Sequence, residues 1–203
     1  MISKKMLLDN TGKDISAKLK KMNYNLITYL KNDNDKSISE LILGNIQEFE
    51  DENIINIKEY LFRACRELTK VNLPKCITIG MNAFRDCTAL SNVNLPECTN
   101  VDDHAFSSTS LLSVELPKCM TVGEYAFSFC EKLQNVNIPK CTIIKNATFQ
   151  YCNLKKIDLN VVEKIEDYAF SHCELLGCVK ILNTETVCVL TSKYAFNSTP
   201  IAN

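Results

Sequence analysis

The stretch that most limits what this chain can become is Leu68 to Cys87, LTKVNLPKCITIGMNAFRDC. It returns as LSNVNLPECTNVDDHAFSST, LLSVELPKCMTVGEYAFSFC and LQNVNIPKCTIIKNATFQYC, with a weaker copy, LKKIDLNVVEKIEDYAFSHC, starting at Leu154. So short a unit cannot bury its apolar side chains alone, whereas stacked copies bury a continuous core, so tandem repetition predicts a solenoid. A phenylalanine recurs at Phe62, Phe84, Phe106, Phe127, Phe149, Phe170 and Phe196, at steps of 22, 22, 21, 22, 21 and 26. Both 21-residue steps lose their residue in the same place: Phe106 to Leu111 and Phe149 to Leu154 are five residues, where the other central coils use six. Variable length there marks a surface turn.

Inside the unit, L-x-x-V-x-L carries the alternation of a half-buried strand, as in Val71-Asn72-Leu73. Pro74, Pro96, Pro117 and Pro139 follow directly, where a missing N–H no longer interrupts a ladder and the chain turns out of the sheet. Cys76, Cys98, Cys119 or Cys141 then heads inward, and a second apolar pair, such as Ile79 and Phe84 or Val122 and Phe127, forms the opposite wall. Ala83, Ala105, Ala126, Ala169 and Ala195 precede the phenylalanines, consistent with a tight corner. The full pattern, L-x-x-V-x-L-P-x-C…I-G-x-x-A-F-x-x-C, resembles the BspA-like leucine-rich repeat of bacterial and protist proteins, over about Ile38 to Phe196. The resemblance implies a curved, right-handed, β-rich coil with a parallel sheet on one face, in about seven repeats of 21–22 residues. It also implies a protein-binding or adhesive role, often at a cell surface.

The ends depart from the repeat. Residues 1–37 are expected to form an N-terminal helical cap and its connection, and residues 38–203 the solenoid. Over Asp14 to Leu30, the residues Ile15, Leu19, Met22, Leu26 and Leu30 make one apolar stripe, fit either to cover the open end of the core or to anchor the chain in a larger assembly. ISELIL, Ile38 to Leu43, fits the first strand, which places an eight-residue insertion within GNIQEFEDENIIN before Phe62. The acidic residues Glu48, Glu50, Asp51 and Glu52 then read as a solvated loop. At the other end, Ile181 to Phe196 is four residues longer than the standard 11, and either this final coil or another subunit covers the core.

Composition narrows the function classes. With 23 basic and 24 acidic side chains, no net field draws the protein to nucleic acid or anionic lipid. No apolar run nears the roughly 20 residues of a membrane span. The start, MISKKMLLDNTGKD, has no secretory apolar core, and no cell-wall anchor motif or transmembrane tail appears; the expectation is a cytoplasmic chain, or a surface or secreted one if a leader has been removed. Eleven cysteines fall mostly 11 apart (Cys65, Cys76, Cys87, Cys98; Cys119, Cys130, Cys141, Cys152), half the repeat, with no C-x-x-C pair. Repeat-core packing is the simplest reading, with cross-repeat disulfides or a metal as the alternatives. The two histidines, His104 and His172, sit at different repeat positions outside any catalytic motif, and no cofactor is expected.

The candidate partner surface is the outer face of the strands. One column is Lys70, Asn92, Ser113, Asn135 and Lys156; the next is Asn72, Asn94, Glu115, Asn137 and Asp158; Thr69, Ser91, Leu112, Gln134 and Lys155 flank them. Leucine-rich repeats commonly bind partners on this face. The plainer reading is solubility, with Asn side chains bonding from coil to coil. A second exposed column precedes each phenylalanine by two residues: Tyr60, Asn82, His104, Tyr125, Ala147, Tyr168 and Tyr194. The expectation is a non-enzymatic module that binds a protein partner through its solenoid face. The rival is a structural component joined through the N-terminal helix or by self-association at the open C-terminal end.

Overall fold

The computed structural model describes residues 46–180, 190–191 and 194–200. Each coil contributes two short parallel strands. The longer are β1 (Glu48–Glu50), β3 (Lys70–Asn72), β5 (Asn92–Asn94), β7 (Ser113–Glu115), β9 (Asn135–Asn137), β11 (Lys156–Asp158) and β13 (Cys178–Lys180). The shorter are β2 (Asn56–Ile57), β4 (Thr78–Ile79), β6 (Asn100–Val101), β8 (Thr121–Val122), β10 (Ile143–Ile144), β12 (Lys164–Ile165) and β14 (Leu190–Thr191). Equivalent residues of successive copies face each other, as in Val71↔Val93 and Val114↔Val136, so the repeat length itself sets the register. Val71 and Leu73 are fully buried while Lys70 is exposed, the period-two alternation read from the sequence. No α-helix occurs among the described residues, and the Asp14–Leu30 cap lies outside them.

The third side of each coil is neither strand nor helix. Alternate amides reach the next coil, as in Asn82 N to Asp103 O (3.0 Å), Phe84 N to Ala105 O (2.8 Å) and Asp86 N to Ser107 O (2.9 Å). The intervening amides turn back three residues, as in Ala83 N to Gly80 O (3.1 Å), Arg85 N to Asn82 O (3.3 Å) and Cys87 N to Phe84 O (3.2 Å). Every donor in the segment is thereby satisfied although no regular element forms. The alternation demands two left-handed residues per coil, for example Asn82 (φ 55°) and Asp86 (φ 62°), then His104 (55°) and Ser108 (60°). Each costs roughly 1–2 kcal/mol for a residue with a Cβ, and the ladder holds it there. Gly123 closes a neighbouring corner, where a Cβ would lie 2.4 Å from Asp103 N.

The core is one continuous cluster running the length of the described coils. Its centre is a column of stacked rings, Phe62, Phe84, Phe106, Phe127, Phe149, Phe170 and Phe196, with centroids 5.1–5.6 Å apart and planes within 14°. The six rings from Phe62 to Phe170 have no exposed surface. At the N-terminal end of the described residues Phe49 meets the stack, 4.6 Å from Phe62 and tilted by 54°.

The expected first-coil insertion is corrected. β1 pairs with β3 as Phe49↔Val71, a 22-residue step, so the coil from Ile46 onward has standard length; Ile38–Leu43 lies outside the described residues. The acidic stretch is therefore strand and turn, not loop. Asp51 stands where Leu73 stands one coil later and is buried. Its Oδ1 accepts the amides of Asn53 (2.7 Å) and Ile54 (3.0 Å), a side-chain-built turn out of the strand where later coils use proline.

The two short turns have a visible consequence. In six-residue turns the following leucine amide closes a turn onto the third residue back, as Leu68 to Cys65 (3.1 Å), Leu90 to Cys87 (3.0 Å) and Leu133 to Cys130 (2.9 Å). That bond is absent at Leu111 and Leu154. The strands that come next, β7 and β11, do not pair with the strands before them: the long-strand sheet divides into β1-β3-β5, β7-β9 and β11-β13. Removal of a central ring tests the packing. Phe127→Ala should cost about 3–5 kcal/mol in a chemical melt, and a loss below about 1 kcal/mol contradicts the stacked core.

Candidate functional site

The outer columns of the long strands form a face whose positions follow from the two-residue strand period. Lys70, Asn92, Ser113, Asn135 and Lys156 are exposed, as are Asn94, Glu115, Asn137 and Asp158; Asn72 is half-buried. Coil-to-coil bonds tie several together. Asn94 Nδ2 donates to Asn72 Oδ1 (2.7 Å) and Asn137 Nδ2 to Glu115 Oε2 (2.8 Å). Lys70 Nζ donates to Glu50 Oε1 (2.8 Å), which holds the ammonium above its ordinary pKa. Lys180 Nζ lies 3.6 Å from Asp158 Oδ2. These exposed pairs order the surface more than they stabilise the fold.

Where β9 and β11 part, the face opens into a groove of about 470 Å³ lined by Glu115, Asn135, Val136, Asn137, Lys156, Ile157, Asp158, Cys178 and Lys180. Five of the candidate residues thus gather around one concavity: Glu115, Asn135, Asn137, Lys156 and Asp158. Lys70, Asn72, Asn92 and Asn94 lie on the first sheet, and Ser113 on the edge of the second, outside the groove. Cys178 and Lys180 were missed in the sequence, although Leu176, Val179 and Ile181 repeat around them the strand pattern of the earlier coils. Their distance of 22 from Lys156 and Asp158 is the signal that finds them.

The repeat geometry agrees with the family that the sequence matches. The model of the BspA type leucine-rich repeat region matches residues 37–122, 55–177 and 99–203, in six copies. The chain belongs to the BspA-type leucine-rich repeat family. Among solved structures it is similar to a leucine-rich repeat protein from Bacteroides ovatus, at TM-score 0.70 and 26% identity over 79% of this chain. It is also similar to a leucine-rich repeat protein of T. pallidum, at TM-score 0.57 and 27% identity over 62% of this chain. The chain spans 44% of the length of the first and 62% of the second. No curated protein sequence matches it.

In this BspA-type coil the cysteines have a dual task. Each is small enough for a narrow interior site and carries a weak donor for a buried carbonyl. In one column the thiol donates to the carbonyl two residues on: Cys76 to Thr78, Cys98 to Asn100, Cys119 to Thr121 and Cys141 to Ile143, at 3.1–3.3 Å. In the other it donates to the phenylalanine carbonyl one coil back: Cys87 to Phe62, Cys130 to Phe106, Cys152 to Phe127 and Cys173 to Phe149, at 2.9–3.1 Å. Where that column lacks cysteine, Thr109 donates its hydroxyl within its own coil, to Phe106 O (2.9 Å), the same carbonyl that accepts from Cys130. Burial pushes the thiols of Cys76 and Cys130 up to about 11, and those of Cys98, Cys119 and Cys173 up to about 12. A nucleophilic cysteine needs the opposite shift.

The BspA-type third side carries the aromatics. His104 stacks on Tyr125 (4.8 Å) and Tyr168 on Tyr194 (5.5 Å), two ring pairs separated by Ala147. Burial and the Arg85 charge hold the His104 imidazole below its ordinary pKa. A second column, two residues after each phenylalanine, was missed in the sequence: Phe129, Tyr151 and His172 stack at 4.6 and 4.4 Å, with Phe129 46% and Tyr151 37% exposed. The 22- and 21-residue steps between them were legible. His172 lies in this outer stack while Cys173 points into the core, so the two do not form a pair. Native-state thiol labelling followed by peptide mass spectrometry should modify the exposed Cys178 readily and the nine buried described cysteines only after unfolding. Fast modification of any of those nine in the folded protein contradicts a thiol-packed core.

Proposed function

We propose that this chain is a non-enzymatic protein-interaction module, binding a protein partner across the exposed face of its long strands, with the β9–β11 groove as part of the contact. The observation that carries the reading is the gathering of Glu115, Asn135, Asn137, Lys156 and Asp158 around that groove. It is a mixed polar rim of donors and acceptors over two aliphatic side chains, Val136 and Ile157, an arrangement of polar edge and apolar floor typical of protein contacts. The family supports the reading as well, since leucine-rich repeats are generally used for protein interaction. The buried thiols, with raised pKa values, offer no activated nucleophile, which favours binding over catalysis. No Trp, Tyr or Arg stands among the candidate face residues, so the contact is expected to be of modest affinity.

The test is an affinity pull-down from lysate and surface extract of the source cells, comparing the native protein with a variant carrying Asn72→Arg, Asn94→Arg and Asn137→Arg. These changes place bulky charges on two of the three long-strand sheets without touching the core. A partner retained by the native protein and lost by the folded variant is the expected result. A partner indifferent to all three changes points instead to the ends of the solenoid, as in an assembly component.

A further inference from the structure

The sheet breaks follow a pattern along the axis. Between the first three described coils both ladders are intact: β1, β3 and β5 pair, and so do β2, β4 and β6. At the third junction β5 and β7 part while β6 and β8 stay paired. At the fourth, β7 and β9 pair while β8 and β10 part, and at the fifth β9 and β11 part while β10 and β12 pair. The last junction again has both ladders. The breaks are therefore staggered, and among the described coils no junction loses both. The third side stays bonded at every junction through the phenylalanine amides, from Phe62 N to Ala83 O through Phe127 N to Thr148 O to Phe170 N to Ala195 O, all 2.8–2.9 Å.

Two further features mark the same region. The phenylalanine centroids are 5.1 and 5.2 Å apart at the first two junctions, 5.4, 5.6 and 5.6 Å at the next three, and 5.3 Å at the last. Val93 and Val136, on the strands just before the two long-strand breaks, are only partly buried, whereas Val71 and Val114 are buried. We infer that the three central junctions form a built-in flexible zone, in which two stiff blocks bend relative to each other about the unbroken phenylalanine side. The one-residue-shorter turns before Leu111 and Leu154 are the devices that open the long-strand face at either end of this zone. Each central junction has one sheet ladder fewer to oppose bending, and alternating which ladder is absent allows bending in more than one direction. The inference stands whether or not that face binds a partner.

Methyl relaxation dispersion by NMR tests it, because bending of packed blocks belongs to the microsecond-to-millisecond range that dispersion detects. In the native protein, dispersion at Val93, Val136 and Ile157 should be several-fold larger than at Val71. A variant with one alanine added between Ser110 and Leu111 and another between Asn153 and Leu154 restores both six-residue turns. Its dispersion at the three residues should fall to the level of Val71. The converse variant, lacking Ala89, shortens an intact turn and should create new dispersion at Val71, giving an answer even where the insertion variant does not fold. Flat dispersion at Val93, Val136 and Ile157 in the native protein overturns the inference. So does dispersion that persists in the folded insertion variant, or that stays absent at Val71 after the deletion.

Discussion

Contact between identical side chains in consecutive coils is the interaction on which every other feature of this fold rests. A single 22-residue unit has two strands of two or three residues and a side that is neither strand nor helix, none of which is stable alone. Stacking supplies what is missing. The phenylalanines meet face to face, the strands pair with their own copies, and the left-handed residues of the third side find partners only because the next coil offers carbonyls at the same height. The cysteines belong to the same logic. Cys152 fills its layer and its thiol reaches back to Phe127 O, so a donor–acceptor bond crosses the coil boundary inside an otherwise apolar interior.

The repeat made the architecture legible. The Leu-Val-Leu alternation, the phenylalanine column and the cysteine spacing each report inward positions, and apolar period is the strongest signal a sequence carries. Two features were hidden for physical reasons. The first coil replaces an inward leucine with Asp51 and an inward valine with Phe49, so the apolar pattern pointed upstream to ISELIL, and the side-chain turn that makes Asp51 acceptable appears only in three dimensions. The third side gave no glycine signal at its left-handed positions, which hold Tyr60, Asn82, His104, Ala147 and Tyr168 among others, because the inter-coil ladder and not side-chain preference sets their φ.

The candidate surface was legible in outline and not in shape. Alternation identifies which strand residues face outward, and it named five residues of the β9–β11 groove. That these five surround a concavity depends on a strand separation that tracks the missing residue at Asn153–Leu154, a detail visible as a length difference but not as a structural meaning. Lys180, brought to the groove by the last coil and aligned with Asp158, extends the same point. One missing residue in a turn thus links the spacing of the repeat, the continuity of a sheet and the shape of the proposed contact face.

Whether nearest-neighbour stacking carries the fold can be read from double-mutant cycles on the phenylalanine column. Phe127→Leu and Phe149→Leu remove adjacent rings, and Phe84→Leu and Phe149→Leu remove rings separated by two others. Nearest-neighbour stacking predicts a coupling of about 0.5–1.5 kcal/mol for the adjacent pair, the range of aromatic pair terms, and additivity for the separated pair. Equal coupling in both cycles, or none in the adjacent one, would contradict it.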